Sequence, residues 1–171
     1  MLLNTLQWRV LKPFVDETAN ALESKLALKV EIDDGFQDKV EEFNFKGYAV
    51  VTNTSGSVEG RVLIHHYTET ALAVGNKLLL QKSTSNHPLD KMTDEISNAL
   101  ADFSYSIFEP AVRKLENSAL KVKFSQSYFI ADTENIANLL DDVNEIITVP
   151  IKVDGVGRFY LNYLLNKKIV G

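Results

Sequence analysis

A weak internal repeat limits the possible folds of this sequence more than any other feature. Three short segments of the first half recur in the second half, in the same order. Residues 16–22 match 94–100, residues 26–32 match 118–124, and residues 58–63 match 156–161 once a gap is allowed. Each match is short enough to arise by chance, but the shared order favours a duplication. We therefore predict one domain over residues 1–171, built from two related halves.

Hydrophobic periodicity predicts the elements of the first half. It indicates a short helix over 1–12, a second helix from Pro13 to about residue 27, and a strand over 28–32. Alternating apolar residues then predict a hairpin of two strands, over 43–54 and 58–66. A helix over 68–81 and a polar loop over 83–87 complete this half.

The second half follows the same order of elements. A helical stretch from about Pro88 to residue 117 contains Pro110, which predicts either a kink or two helices. Next come a strand over 120–124, a short acidic helix or loop over 132–142, and a hairpin of strands over 146–153 and 156–165. The order α-β-β-β-α-α-β-β-β predicts an α/β protein of the α+β type, in which helices pack on a mostly antiparallel sheet.

The composition excludes several classes of function. No cysteine is present, which removes disulfides, thiolate metal ligands and cysteine nucleophiles. Eighteen basic and 23 acidic residues give a net charge of −5, which argues against nucleic-acid binding. Neither a membrane-spanning apolar run nor a secretory signal pattern is visible, so we expect no membrane partner and a cytoplasmic location. His65 and His66 are neighbours in a predicted strand and should point to opposite faces, which disfavours a histidine metal site.

One polar pair is a candidate for chemistry. Glu95 and Asn98 are three residues apart in a predicted helix, so their side chains share a face. A carboxamide can both donate to and accept from a water molecule, and a carboxylate can bind a cation on a partner. A pair this short also recurs by chance on solvated helix faces, so the spacing alone is not specific.

The surroundings of this pair resemble a known family. Residues 10–18 and 28–32 resemble the opening of the CheX family, and residues 55–64 with 69–73 resemble its hairpin and following helix. Residues 89–98 resemble its active-site helix, including the Glu-x-x-Asn pair. The resemblance covers roughly residues 10–165 in element order. The family also includes CheC and FliY, which carry two such helices related by a pseudo-twofold axis.

The resemblance implies a function and a mechanism. Family members hydrolyse the aspartyl phosphate of a CheY-like response regulator, a reaction that mainly needs a positioned water and neutralised charge. Carried over, Asn98 positions the water and Glu95 docks a regulator lysine. The resemblance implies no cofactor of the chain's own, because Mg²⁺ belongs to the regulator, and it implies a homodimer that forms through sheet edges.

Several residues leave alternatives open. Glu17 and Asn20 have the same spacing in the first helix and form a possible second site. Asp94 and Asp102 extend the acidic face and are candidates for partner docking. Asp102 and Phe103 depart from the small residues that the family has after its asparagine. This departure supports the alternative of a non-catalytic binding or scaffold domain in chemotaxis or two-component signalling. The sequence does not identify the regulator or the process that it controls.

Overall fold

A computed structural model shows helices packed on one face of an antiparallel sheet. It describes residues 1–81, 88–134 and 137–167. Within these ranges the helices are α1 (Thr5–Leu26), α2 (Thr68–Gln81) and α3 (Asp94–Asn117). The strands are β1 (Val30–Ile32), β2 (Phe36–Asp38), β3 (Tyr48–Gly56), β4 (Gly60–His66), β5 (Val122–Phe124), β6 (Tyr128–Ala131), β7 (Glu145–Val153) and β8 (Gly157–Leu165). The predicted α+β class and its antiparallel sheet are confirmed.

The sheet joins the two halves of the chain crosswise. Its strand order is β1-β7-β8-β4-β3-β5, with the two hairpins, β3–β4 and β7–β8, meeting where β4 pairs with β8. The short strands β1 and β2 of the first half pair with β7 of the second. Likewise, β5 and β6 of the second half pair with β3 of the first. Each half therefore supplies the edge strands of the other, which is the arrangement that two related halves would give.

The start of α1 differs from the sequence prediction. The Asn4 side chain accepts a hydrogen bond from the Gln7 backbone N–H (2.8 Å), and the Gln7 side chain accepts one from the Asn4 N–H (2.9 Å). This capping box begins the helix at Thr5, and the helix then runs through Pro13 to Leu26. The prediction of two helices separated at Pro13 was wrong. The proline removes one helical hydrogen bond, but its ring is buried against the rest of the fold.

The helix that carries the candidate pair also begins later than predicted. Thr93 caps α3 by accepting a hydrogen bond from the Ile96 N–H (3.3 Å), so the helix starts at Asp94 rather than near Pro88. It continues as one helix through Pro110, which makes the two-helix alternative wrong. The predicted polar loop over 83–87 lies outside the described residues. In the predicted acidic segment, Ala137–Leu140 form a 3₁₀ helix.

Hydrophobic residues fill both faces of the sheet. The larger core lies between the sheet and the helices, where Phe14, Leu22, Ile96 and Tyr163 are almost completely buried. A smaller core lies on the opposite face, under the loops that precede β3 and β7, and contains Phe43, Phe45, Ala49, Val51, Leu63, Leu139, Ile146 and Leu164. Fully burying one such large side chain contributes about 1.5–3 kcal/mol. The helix-side core therefore holds α3 rigidly against the sheet, with its other face towards solvent.

Candidate functional site

The candidate pair lies on the solvent-facing side of α3. Glu95, Asn98 and Asp102 follow one another at intervals of three and four residues and are all exposed. The opposite side of the same turns carries Ile96, Ala99, Leu100 and Phe103, which are buried. Because residues three and four apart share a helix face, the polar side chains form one stripe. Asp94, also exposed, lies beside it at the start of the helix.

Packing from α2 fixes the position of this stripe. Gly75 lets α2 approach α3 closely, since a Cβ at this position would overlap the Cγ2 of Ile96. The Asn76 side chain donates to the Leu89 carbonyl and accepts from the Leu89 N–H, both at 2.8 Å. These two bonds tie the segment that leads into α3 to the neighbouring helix. Packing against Gly75 thus holds the buried side of the first turns of α3, and the Asn76–Leu89 hydrogen bonds hold the segment that precedes the helix.

The electrostatic setting suits a docking surface. Asp94 and Glu95 occupy the first turn of α3, where the positive end of the helix dipole favours carboxylates. Within the described ranges, neither the Glu95 carboxylate nor the Asn98 carboxamide has a hydrogen-bond or ion-pair partner. Both groups are therefore available to a second molecule.

The second Glu-x-x-Asn pair has different surroundings. The Glu17 carboxylate lies 2.6 Å from the Lys114 ammonium, in an ion pair between α1 and α3, and only 16% of its side chain is exposed. Asn20 is exposed. The two helices run antiparallel, as the contact between Lys25 and Ser106 (3.1 Å) also shows. Glu95 is about 28 Å along α3 from the residue that binds Glu17, so the structure does not bring the two pairs together.

Asp102 and Phe103, which depart from the family pattern, point in different directions. Phe103 is buried in the helix-side core, with the Lys25 ammonium 6.0 Å from its ring centroid. It therefore does not reach the exposed stripe. Asp102 is exposed on that stripe, one turn after Asn98. Of the two residues, only Asp102 therefore adds a group to the exposed stripe, namely one carboxylate.

An exposed aromatic residue extends the stripe and was not among the predicted site residues. Tyr105 follows Asp102 by three residues, is 45% exposed, and packs against Phe124 of β5 with ring centroids 5.5 Å apart. Its spacing of seven residues from Asn98 was the signal in the sequence. Tyrosine is common at protein interfaces because it offers a large apolar surface and a polar end.

The chemistry available to this stripe is limited and specific. A carboxamide can orient a water molecule, and a carboxylate can neutralise a cation.

In the described part of the chain, no group of three or more histidine, aspartate or glutamate residues could hold a metal ion. No helix in these ranges is long and apolar enough to cross a membrane. His65 and His66 lie on opposite faces of the sheet, as predicted.

Sequence comparisons give no assignment. No family model matches the chain, and no curated protein matches it.

Structural comparisons give the fold. A chain of the CheX–CheY–BeF3–Mg²⁺ complex from Borrelia burgdorferi has a TM-score of 0.73 and 21% identity, with 92% of this chain and 98% of that chain covered. A CheC-like superfamily protein from Shewanella sp. PV-4 gives 0.72 and 13%, with 95% and 99% covered. FliY from Thermotoga maritima gives 0.69 and 10%, with 96% and 92% covered. The chain therefore has the fold shared by these chemotaxis proteins, as the sequence resemblance implied.

Proposed function

We propose that this chain is a phosphatase that acts on the aspartyl phosphate of a CheY-like response regulator. The observation that carries the proposal is the pair Glu95 and Asn98 on the rigidly held α3, whose exposed side chains have no hydrogen-bond or ion-pair partner among the described residues. The fold adds support, because one protein that shares it has been crystallised with CheY, BeF3 and Mg²⁺. Since one fold can serve several functions, the residues carry more weight here than the fold.

The proposed reaction needs little from the phosphatase beyond positioning. Water attacks phosphorus, the bond between phosphorus and the aspartyl oxygen breaks, and inorganic phosphate and a free carboxylate are released. The Asn98 carboxamide orients the attacking water through its donor and acceptor atoms. Glu95 pairs with a lysine of the regulator, which places Asn98 at the phosphoryl group. Any Mg²⁺ that neutralises the phosphoryl charge is held by the regulator.

The other acidic residues of α3 favour encounter with a basic partner surface. Asp94 lies beside Glu95, and Asp102 lies one turn beyond Asn98. Like-signed charges on one face accelerate association with an oppositely charged surface, and salt weakens the effect. In this proposal the two aspartates assist docking and do not touch the reacting atoms.

Asp102 also favours a second candidate function. Its carboxylate lies on the same stripe as Asn98, where it would repel an incoming phosphoryl group. A chain that tolerates this charge could bind a regulator without hydrolysing its phosphate. The second candidate is therefore a non-catalytic binding or scaffold domain of the same fold.

One experiment separates the two candidates. A CheY-like receiver domain is phosphorylated with a small-molecule donor in the presence of Mg²⁺, and its loss of phosphate is followed with and without this protein. Phosphatase activity predicts faster decay, reduced about 100-fold by Asn98→Ala because the water is no longer oriented. A scaffold predicts that the protein binds the receiver but leaves the decay rate unchanged. Binding combined with unaccelerated decay would therefore exclude the phosphatase proposal.

We also propose that two chains associate through a sheet edge. Ile32 of β1 and Tyr128 of β6 are large apolar side chains that remain 42% and 40% exposed on short edge strands. Such edges present unpaired backbone groups that a second copy can use. Light scattering after size exclusion should give twice the 19.2 kDa mass of one chain. A mass of one chain at all concentrations up to about 100 μM would contradict the proposal.

A further inference from the structure

A cavity of about 340 Å³ lies on the sheet face opposite the helices, remote from the stripe on α3. Loop residues 43–46 form one wall, and strands β2, β4, β7 and β8 form the floor. Its volume is at the lower end of the range for small-molecule sites. Aromatic rings dominate the lining, namely Phe36, Phe43, Phe45, His65, Tyr67 and Tyr160.

A chain of hydrogen bonds crosses the floor of this cavity. The Asn162 amide nitrogen donates to the Thr148 hydroxyl (2.7 Å), which donates to the Asp38 carboxylate (2.7 Å). The carboxylate can only accept, so the hydroxyl must give its proton to Asp38 and must accept from the amide nitrogen. This order fixes the orientation of the amide and leaves its Oδ1 as an acceptor.

The Oδ1 of Asn162 is a buried acceptor that the described residues leave without a well-aligned donor. Asn162 is only 1% exposed, and no described residue donates to this oxygen with hydrogen-bond geometry. A buried acceptor without a donor costs about 1–3 kcal/mol, so most folds avoid it. Asp38 forms no ion pair within the described ranges, although it is half-buried beside the same cavity. Asn162 and Asp38, which both bond to Thr148, thus line one cavity, and among the described residues only Thr148 donates to Asp38 while none donates to Asn162 Oδ1 with hydrogen-bond geometry.

The aromatic wall suits a positive group. Tyr160 stacks on His65 with ring centroids 4.9 Å apart and an interplanar angle of 13°. Burial, and to a smaller extent the nearby charge of His66, lower the pKa of His65 to about 3, and the Asn162 side chain opposes the shift. The imidazole is therefore neutral near pH 7 and does not repel a cation.

The other aromatic rings of the lining also suit a cation, because the faces of tyrosine and phenylalanine rings attract organic cations. Lys46 is the basic residue of the lining, and it is exposed at the rim.

We propose that this cavity binds a small organic cation, a primary ammonium group on a compact aromatic body. The ammonium donates to Asn162 Oδ1 and to the Asp38 carboxylate, the two residues that Thr148 joins through hydrogen bonds. The apolar body packs among Phe43, Phe45 and Tyr160. This site is independent of Glu95 and Asn98, so it serves as a second ligand-binding site whether or not the chain is a phosphatase.

The test is an NMR titration of the full chain with 2-phenylethylammonium, alongside the neutral 2-phenylethanol and the anionic phenylacetate. Saturable shifts are expected in β2, loop 43–46 and the Asn162 side-chain amide with the ammonium compound. Its affinity should exceed that of the alcohol by at least about tenfold, because the alcohol lacks the charge-assisted bond to Asp38. Phenylacetate should not bind.

Matched variants assign the interaction to the named groups. Asp38→Asn should weaken binding of 2-phenylethylammonium by about tenfold or more, because it removes the charge but keeps the shape. Asp34→Asn is the control, because Asp34 is exposed in the preceding turn and does not line the cavity. It should leave the affinity unchanged. Absence of saturable shifts, equal binding of the alcohol, or equal weakening by both variants would overturn the proposal and leave a cavity filled by water.

Discussion

Two adjacent buried histidines should make the stability of this fold depend on pH. Burial and the nearby charge of His66 together lower the pKa of His65 from 6.5 to about 3, against an opposing effect of the Asn162 side chain. Burial also lowers the pKa of His66 from 6.5 to about 4, opposed by a backbone hydrogen bond. Both rings are consequently neutral in the folded protein near neutral pH, because the interior of the sheet solvates an imidazolium poorly.

The direction and size of the effect follow from proton binding. Below pH 6.5 the unfolded chain takes up a proton at each histidine, whereas the folded protein does so only near pH 4 or below. The free energy of unfolding therefore falls as the pH falls through this interval. Each pH unit below the unfolded pKa removes about 1.4 kcal/mol per histidine, so pH 5 removes about 2 kcal/mol for each and about 4 kcal/mol for the pair.

Urea denaturation at pH 7 and pH 5 measures this effect. The comparison is between the natural chain and the double variant His65→Phe, His66→Leu, which keeps apolar bulk at both positions and cannot titrate there. Because each protein is compared with itself at two pH values, any other stability change in the variant cancels. The variant should lose about 4 kcal/mol less than the natural chain between the two conditions. Equal losses would assign the pH dependence to groups other than these two histidines.

Further substitutions test one packing contact and two hydrogen-bonded groups that stabilise the fold. Gly75→Ala should lower Tm by about 2–4 °C, because the added Cβ overlaps Ile96 at a cost above the gain in helix propensity; an unchanged or higher Tm by calorimetry would contradict this. Asn4→Ala should reduce the urea-derived free energy of unfolding by about 1 kcal/mol through loss of the α1 capping box, and no reduction would show that α1 begins independently of it. Tyr163→Phe should cost about 1–2 kcal/mol in the same assay, because it leaves the buried Thr54 hydroxyl without its partner at 2.6 Å. Adding Thr54→Val should recover part of that loss, and a further loss would argue against the bond.

The hairpins could be predicted from the sequence because their strands are long enough to show alternation. The strands β3, β4, β7 and β8 each contain seven to nine residues. By contrast, β2 has three residues and β6 has four, too few for a period to be visible. Both exist because a long strand of the other half offers backbone groups to pair with. The start of β3 at Tyr48 is also set by tertiary structure, since Gly47 has φ +92° and a Cβ there would overlap the His66 carbonyl.

The predicted starts of α1 and α3 were wrong because a proline suggested one boundary and a capping residue set another. Pro13 suits the first turn of a helix, and this preference led to the wrong boundary. The capping box at Asn4 and the burial of Val10, Leu11 and Phe14 on one continuous face outweigh it. The predicted start of α3 near Pro88 is also too early, because the Thr93 side chain caps the helix and sets its start at Asp94.

The candidate site could be predicted only in part. The shared face of Glu95 and Asn98 followed from helical spacing alone. The ion pair of Glu17 with Lys114 depends on the antiparallel packing of two helices from different halves of the chain, so no local pattern could reveal it. The same holds for the cavity around Asn162, whose lining comes from several segments far apart in sequence. The catalytic roles of Glu95 and Asn98, the second pair, and the docking roles of Asp94 and Asp102 stay predictions.

We predict that the surroundings of the two Glu-x-x-Asn pairs, and not their shared spacing, decide which pair acts on a phosphorylated receiver. The most direct measurement is the rate constant for loss of phosphate from a CheY-like receiver, compared between Asn98→Ala and Asn20→Ala. Both substitutions remove an exposed carboxamide at the same position of a Glu-x-x-Asn motif. We predict that Asn98→Ala reduces the acceleration about 100-fold and that Asn20→Ala leaves it unchanged. Equal reductions by the two variants, or loss of activity with Asn20→Ala alone, would contradict the account.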